Sequence, residues 1–235
     1  MKLFSLLPLC LLITTAIFLG NDTDKKVVLN SSLTTYINGI KQDFSKIPQD
    51  RKTELEKIAE FIQQKVNAKE PVQLTYICTH NSRRSHFGQL WAATAAAYYG
   101  VPGVKTFSGG TEVSAFNERA VAACKRAGFD ISKASDGPNP MYAVTYASGA
   151  EPIKAFSKKY DDASNPPSNF LAIMTCSQAD KACPIVKGAA LRVATPYDDP
   201  KAFDGTPQET AKYDERCKQI ATETFYVFSK VKVAI

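Results

Sequence analysis

The run VQLTYICTHNSRRSHFGQLWAATAAAYYG, residues 72–100, constrains the fold more than any other stretch. Residues 72–78 read as a buried strand, a short polar loop follows, and a helical pattern over 85–100 stops at Gly100. The alternation recurs along the chain. VKTFSGG (104–110) is a second strand and FNERAVAACKRAGFD (116–130) a helix with Asn117 as its cap. FLAIMTC (170–176) and LRVATPY (191–197) are further strands, and 207–231 is a long helix. Strands that alternate with helices predict an α/β fold: a parallel four-stranded sheet flanked by helices. Residues 137–169, holding MYAVTY, IKAFSKKYDD and NPPSN, read as an inserted hairpin and loop.

Ahead of Pro71 the pattern differs. Lys2 precedes LFSLLPLCLLITTAIFLG, uncharged until Asp22, so residues 1–20 are expected to be a signal peptide or N-terminal membrane anchor. Export, to a periplasm or with the anchor retained, follows as an expectation, and membrane contact is expected only through this segment. Residues 21–70 form a linker and a helical extension, in which Leu55, Ile58, Ile62 and Val66 mark one apolar stripe and Pro48 breaks the helix. Residues 71–235 form the main domain. The net charge of +6 is spread among acids without a basic run, which argues against a nucleic-acid partner.

Cys78 ends the first strand, and Thr79, His80, Asn81, Ser82, Arg83, Arg84 and Ser85 follow it. A loop between a strand and a helix N-terminus aims backbone N–H groups at one point, where the helix dipole favours negative charge. That field binds an oxyanion and favours a thiolate alike. Arg84 offers two parallel donors to a tetrahedral oxyanion, and Ser85 a hydrogen bond to the sulfur. Cys78 is therefore a candidate nucleophile, residues 79–85 are candidate oxyanion ligands, and in-line attack on phosphate or a close analogue is the chemistry they suit.

CTHNSRRS resembles the signature loop of low-molecular-weight protein tyrosine phosphatases and of their relatives, the thioredoxin-coupled arsenate reductases. The resemblance runs from about Val72 to Val231, with FSGGTE (107–112), AGFDIS (127–132) and a late Asp-Pro in family order. His80 stands where the family usually has glycine, and Arg83 where it has a small residue or cysteine. The resemblance implies that Asp199, immediately before Pro200, is the general acid, with Asp198 its solvated neighbour.

Six cysteines become five once Cys10 is set aside with the leader, an odd count that leaves at least one thiol free. Cys124 and Cys217 fall on apolar helical stripes and are expected to be buried and inert. TCSQADKACP (175–184) is similar to the segment that carries the second and third thiols of the reductases. The resemblance implies a relay from Cys78 to Cys176 to Cys183, completed by a thioredoxin-like reductant. It needs a mobile segment, and the polar run Ser177–Lys181 lacks an obvious apolar anchor. A structural Cys176–Cys183 disulfide is the competing reading of the pair. A phosphatase acting on phosphotyrosine or other phosphomonoesters through Cys78 alone, and a non-catalytic oxyanion-binding module, stay open as functions. Some of the reductases bind potassium near the loop. Asn81, Ser108 and Asp136 match ligands of that site, but Gln89 replaces a typical glutamate, so neither metal nor cofactor is assigned.

Overall fold

The computed structural model describes residues 27–233, so the leader expected over 1–20 lies outside the described residues. In chain order the elements are β1 (Val28–Leu29), α1 (Ser31–Lys41), α2 (Gln49–Asn67), β2 (Val72–Cys78), α3 (Arg84–Tyr99), β3 (Val104–Gly110), α4 (Glu118–Ala127) and β4 (Asp130–Lys133). They continue with β5 (Tyr142–Thr145), β6 (Ala147–Ser148), β7 (Ile153–Ala155), β8 (Phe170–Met174), α5 (Ser177–Ala182), β9 (Ala189–Ala194) and α6 (Glu209–Ser229). Short 3-10 turns cover Phe44–Lys46 and Pro200–Phe203.

Strands β3-β2-β8-β9 form a four-stranded sheet in which each neighbouring pair is parallel, the architecture the alternation predicts. The ends of β2 and β8 therefore face one edge, and each opens into a loop that leads to a helix. Alternation of side chains along the strands divides the interior in two. Leu74, Tyr76, Leu171, Ile173 and Val193 join the large core under α3, α4, α6 and the extension. Ile77, Cys78, Phe170, Ala172, Met174, Cys176 and Ala179 form a smaller one. Cys78 and Cys176 thus share a dry compartment at the end of the sheet.

The break at Pro48 divides the extension into α1 and α2, as the periodicity predicts. Leu33, Ile37 and Ile40 of α1 and Leu55, Ile58, Phe61 and Ile62 of α2 are buried, and Tyr36 stacks on Trp91 with ring centroids 5.3 Å apart. The extension is therefore integral to the core. Two boundaries shift. Val28–Leu29, expected within a linker, pair with Ala147–Ser148 of the insert. The insert's hairpin β5–β7 also gains β4 as a third antiparallel strand, a stretch the sequence joined to the preceding helix. Helix α4 stops at Ala127 because Gly128 adopts φ +111°, a left-handed turn whose nearest neighbour would crowd any side chain.

Candidate active site

The signature loop is held by its carbonyls. Those of Cys78 and Thr79 accept from Thr111 and Glu112 amides at 3.2 and 2.8 Å, and that of His80 accepts from the Ser157 and Ser114 hydroxyls at 2.9 and 3.1 Å. The carbonyls of Ser82 and Arg83 accept from the Asn117 and Phe87 amides at 2.9 and 3.0 Å. None of these bonds uses the amide hydrogens of residues 79–83, so the loop's backbone donors stay available to an anion. The left-handed residue of the loop is Asn81, with φ +44°, not His80. That explains why a histidine, and not a glycine, can occupy position 80. Asn81 holds the turn through its side chain, accepting from the Lys158 amide at 2.9 Å and donating to Ser85 Oγ at 2.9 Å. Gly110 lies directly beneath, where a Cβ would come within 2.7 Å of the Thr79 carbonyl oxygen.

Cys78 is buried, with Sγ 3.1 Å from Ser85 Oγ. Arg84 is the first residue of α3 and is 6% exposed. Its Nη1 donates to the Tyr197 carbonyl at 2.9 Å and its Nη2 to Asp199 at 2.8 Å, while its buried Nε has no partner among the described residues. A buried guanidinium N–H left unpartnered in a dry site is costly, so this donor is open to a ligand. Asp199 caps the following turn, its Oδ1 accepting from the Lys201 amide at 3.1 Å, so its carboxylate is fixed at the loop. Asp198 is solvated, as expected, with its side chain 97% exposed.

The structure separates the other expected oxyanion ligands into two groups. Ser85 lies against the thiol. The side chains of His80 and Arg83 point elsewhere: His80 reaches Glu112 at 3.2 Å, and Arg83 Nε donates to Tyr213 Oη at 3.0 Å with Nη1 3.7 Å from Asp199. Both line a groove of about 430 Å³ with Arg119, Lys133, Tyr142 and Lys201.

Cys176 comes to the loop, as the parallel strand ends require. Its Sγ lies 3.4 Å from Thr79 Oγ1 and accepts from the Ala179 amide at 3.3 Å, the N-cap of α5. Thr79 thus links the two thiol-bearing segments by its side chain. The run Ser177–Lys181 is helical and not anchorless: Ala179 is fully buried in the smaller core. Arg192 fastens its far end, donating to the Cys183 carbonyl at 3.1 Å and pairing with Asp180. Cys183 is partly exposed, and Cys78, Cys124, Cys176, Cys183 and Cys217 are all free thiols. Burial raises the Cys124 thiol well above its ordinary value, with neighbouring Cys217 adding to the effect, which suits an inert core cysteine.

The potassium candidates do not converge. Asp136 is 96% exposed and pairs with Lys133 at 2.8 Å, Ser108 Oγ faces His86 Nδ1 at 3.3 Å, and Asn81 is saturated by Ser85 and Lys158. Among the described residues no cluster of His, Cys, Asp or Glu could hold a metal ion. Residues that sequence reasoning missed are Ser157 and Lys158 of the insert, which brace the loop, and Tyr197, whose carbonyl holds Arg84. The insert is remote in sequence and has no local motif pointing to the loop.

No protein-family model and no curated protein matches the sequence. Solved structures similar to the chain include a low-molecular-weight phosphotyrosine phosphatase from Vibrio cholerae O395, at 11% identity and TM-score 0.44, covering 67% of this chain and 95% of that one. A low-molecular-weight protein tyrosine phosphatase from T. tengcongensis is similar at 13% identity and TM-score 0.44, over 68% of this chain and 99% of the other. A thioredoxin-dependent arsenate reductase from Corynebacterium glutamicum is similar at 19% identity and TM-score 0.35, over 79% and 80% of the two chains.

Proposed function

We propose that the protein is a cysteine-dependent oxyanion enzyme that reduces arsenate through a three-thiol relay. The observation that carries this reading is the 3.4 Å approach of Cys176 Sγ to Thr79 Oγ1, which sets a second thiol against the loop of the first. A phosphatase has no use for it. Cys78 attacks arsenic as a thiolate, and a hydroxide leaves with a proton from Asp199. Cys176 then attacks the Cys78 sulfur; the S–As bond breaks, its electron pair passes to arsenic, and arsenite departs. Cys183 attacks the Cys176 sulfur and releases Cys78 as a thiolate. A dithiol of the thioredoxin type reduces the Cys176–Cys183 disulfide. With residues 1–20 as an export signal or anchor, that reductant would work outside the cytoplasm.

The Ala179 amide holds the Cys176 sulfur against the loop, which supports its role as second nucleophile. Hydrolysis of phosphomonoesters through Cys78, Arg84 and Asp199 alone is the second reading, favoured by the unpartnered Arg84 Nε, which serves phosphate as well as arsenate. The test is a single arsenate turnover by Cys183→Ser followed by mass spectrometry. A Cys78–Cys176 disulfide is expected, because nothing remains to resolve it. Absence of that linkage, with aryl phosphate hydrolysis intact, would assign the protein to the phosphatases.

A further inference from the structure

We infer that Arg51, on α2 of the N-terminal extension, is a positioning residue for oxyanion capture, acting through Glu223 and Tyr197 on Arg84. The chain of contacts is short. Arg51 Nε and Nη2 each lie 2.8 Å from Glu223 Oε2, and the guanidinium carbon sits 4.7 Å from the centre of the Tyr197 ring. Tyr197 Oη donates to the same Glu223 oxygen at 2.8 Å, and Gln219 Nε2 donates to Oε1 at 3.1 Å. Glu223 is 4% and Tyr197 8% exposed. The tyrosine ring is therefore gripped on its face by a cation and at its tip by a carboxylate, in a dry site where both contacts are strong.

What the ring fixes is its own backbone. The Tyr197 carbonyl accepts Arg84 Nη1 at 2.9 Å, and its amide donates to the Thr175 carbonyl at 3.1 Å, one residue before Cys176. Thr175 in turn donates through N and Oγ1 to the Ile77 carbonyl, at 2.7 and 2.9 Å, one residue before Cys78. Asp199 lies two residues beyond Tyr197. One aromatic side chain thus sets the height of the Arg84 fork, the acid loop and the ends of both thiol-bearing strands. Arg51 is 172 residues from Glu223 and is supplied by the extension, not by the parallel-sheet domain. The extension is then part of the active site's support and not only a cover for the core.

The inference rests on the oxyanion reading, and the probe is inorganic phosphate protecting Cys78 from iodoacetamide in the full chain. Each variant's protection is measured against its own unprotected rate. Displacing Arg84 even slightly costs much of its alignment, so Arg51→Met should raise the half-protecting phosphate concentration about tenfold or more. Arg51→Lys, which keeps the charge over the ring, should restore part of it. Lys57→Met, an exposed change on the same helix, should do nothing. Unpairing buried Glu223 is destabilising, so Tyr197→Phe provides the second arm: it keeps ring and carbonyl, loses the grip on Glu223, and should weaken protection by about threefold. Wild-type protection in Arg51→Met, or in Tyr197→Phe should the former not fold, overturns the inference. A wild-type protein that phosphate does not protect at all sinks the oxyanion reading itself, and this one with it.

Discussion

At the scale of single residues, Asp199 carries the sharpest test of the acid step. Its carboxylate is shared between Arg84 at 2.8 Å and Arg83 at 3.7 Å, which hold it at the loop. In the proposed reaction an oxyanion takes the Arg84 fork in place of that carboxylate. Asp199→Asn keeps the shape and the turn cap while removing the proton, so turnover should fall by roughly 10²–10⁴-fold, the usual span for general acid catalysis. Asp198→Asn, at a solvated side chain, should change it little. Equal losses in steady-state assays would mean that the turn and not the acid had been damaged. Cys78, Arg84 and Ser85 were legible because one contiguous strand, loop and helix start place them. The bond between Thr79 and Cys176 was not, because the two lie 97 positions apart and meet only when β2 and β8 pair. Nor was the grip on Tyr197, since nothing local in Arg51 or Glu223 marks either as more than a helix-surface charge.

At the scale of elements, α5 decides whether the relay can run. Period and composition made the stretch between Cys176 and Cys183 look free to move. The structure instead shows a six-residue helix with Ala179 buried and Arg192 tied to Asp180 and to the Cys183 carbonyl. A sequence window misses such an anchor because one alanine carries no period and because Arg192 comes from β9. Disulfide geometry requires the two sulfurs to approach to bonding distance with Cα atoms within about 7 Å. A helix between them has to unwind at one end for Cys183 to turn inward. Arg192 is the clamp on that end. Charge-assisted hydrogen bonds contribute about 1.5–3 kcal/mol when shielded and less when partly solvated, as here. Arg192→Met should accelerate formation of the Cys176–Cys183 disulfide by a mild oxidant several-fold, up to about tenfold, as followed by thiol titration. An unchanged rate would show that the Arg192 clamp does not limit the motion.

At the scale of the whole molecule, the insert is pressed onto the loop, and two ionisable side chains at that contact, one from each side, link the packing to pH. His86 is fully buried, stacked on Phe116 with centroids 4.1 Å apart and 3.3 Å from Ser108 Oγ, and burial, reinforced by nearby Lys158, pulls its pKa down to about 3. Lys158, whose backbone braces Asn81 and Gly110, is pulled down to about 8 by burial, with Asp162 opposing. The unfolded chain protonates His86 near its ordinary value of about 6.5. Between that pH and about 3 it binds the proton that the folded state refuses, so stability falls as the solution is acidified through this window. For Lys158 the unfolded chain holds more protons between about pH 8 and 10.5, so its contribution improves as pH rises across that range. His86→Phe, which keeps the stack, should therefore flatten the fall of melting temperature between about pH 6.5 and 3. Lys158→Met leaves the backbone bonds to Asn81 and Gly110 in place and removes a costly buried ammonium. It should melt higher than wild type at pH 7, with the gap closing above pH 8. Melting curves across the range check both. A Lys158→Met protein that is less stable at pH 7 would mean that the ammonium attracts the loop more than its burial costs, reversing the sign of this account.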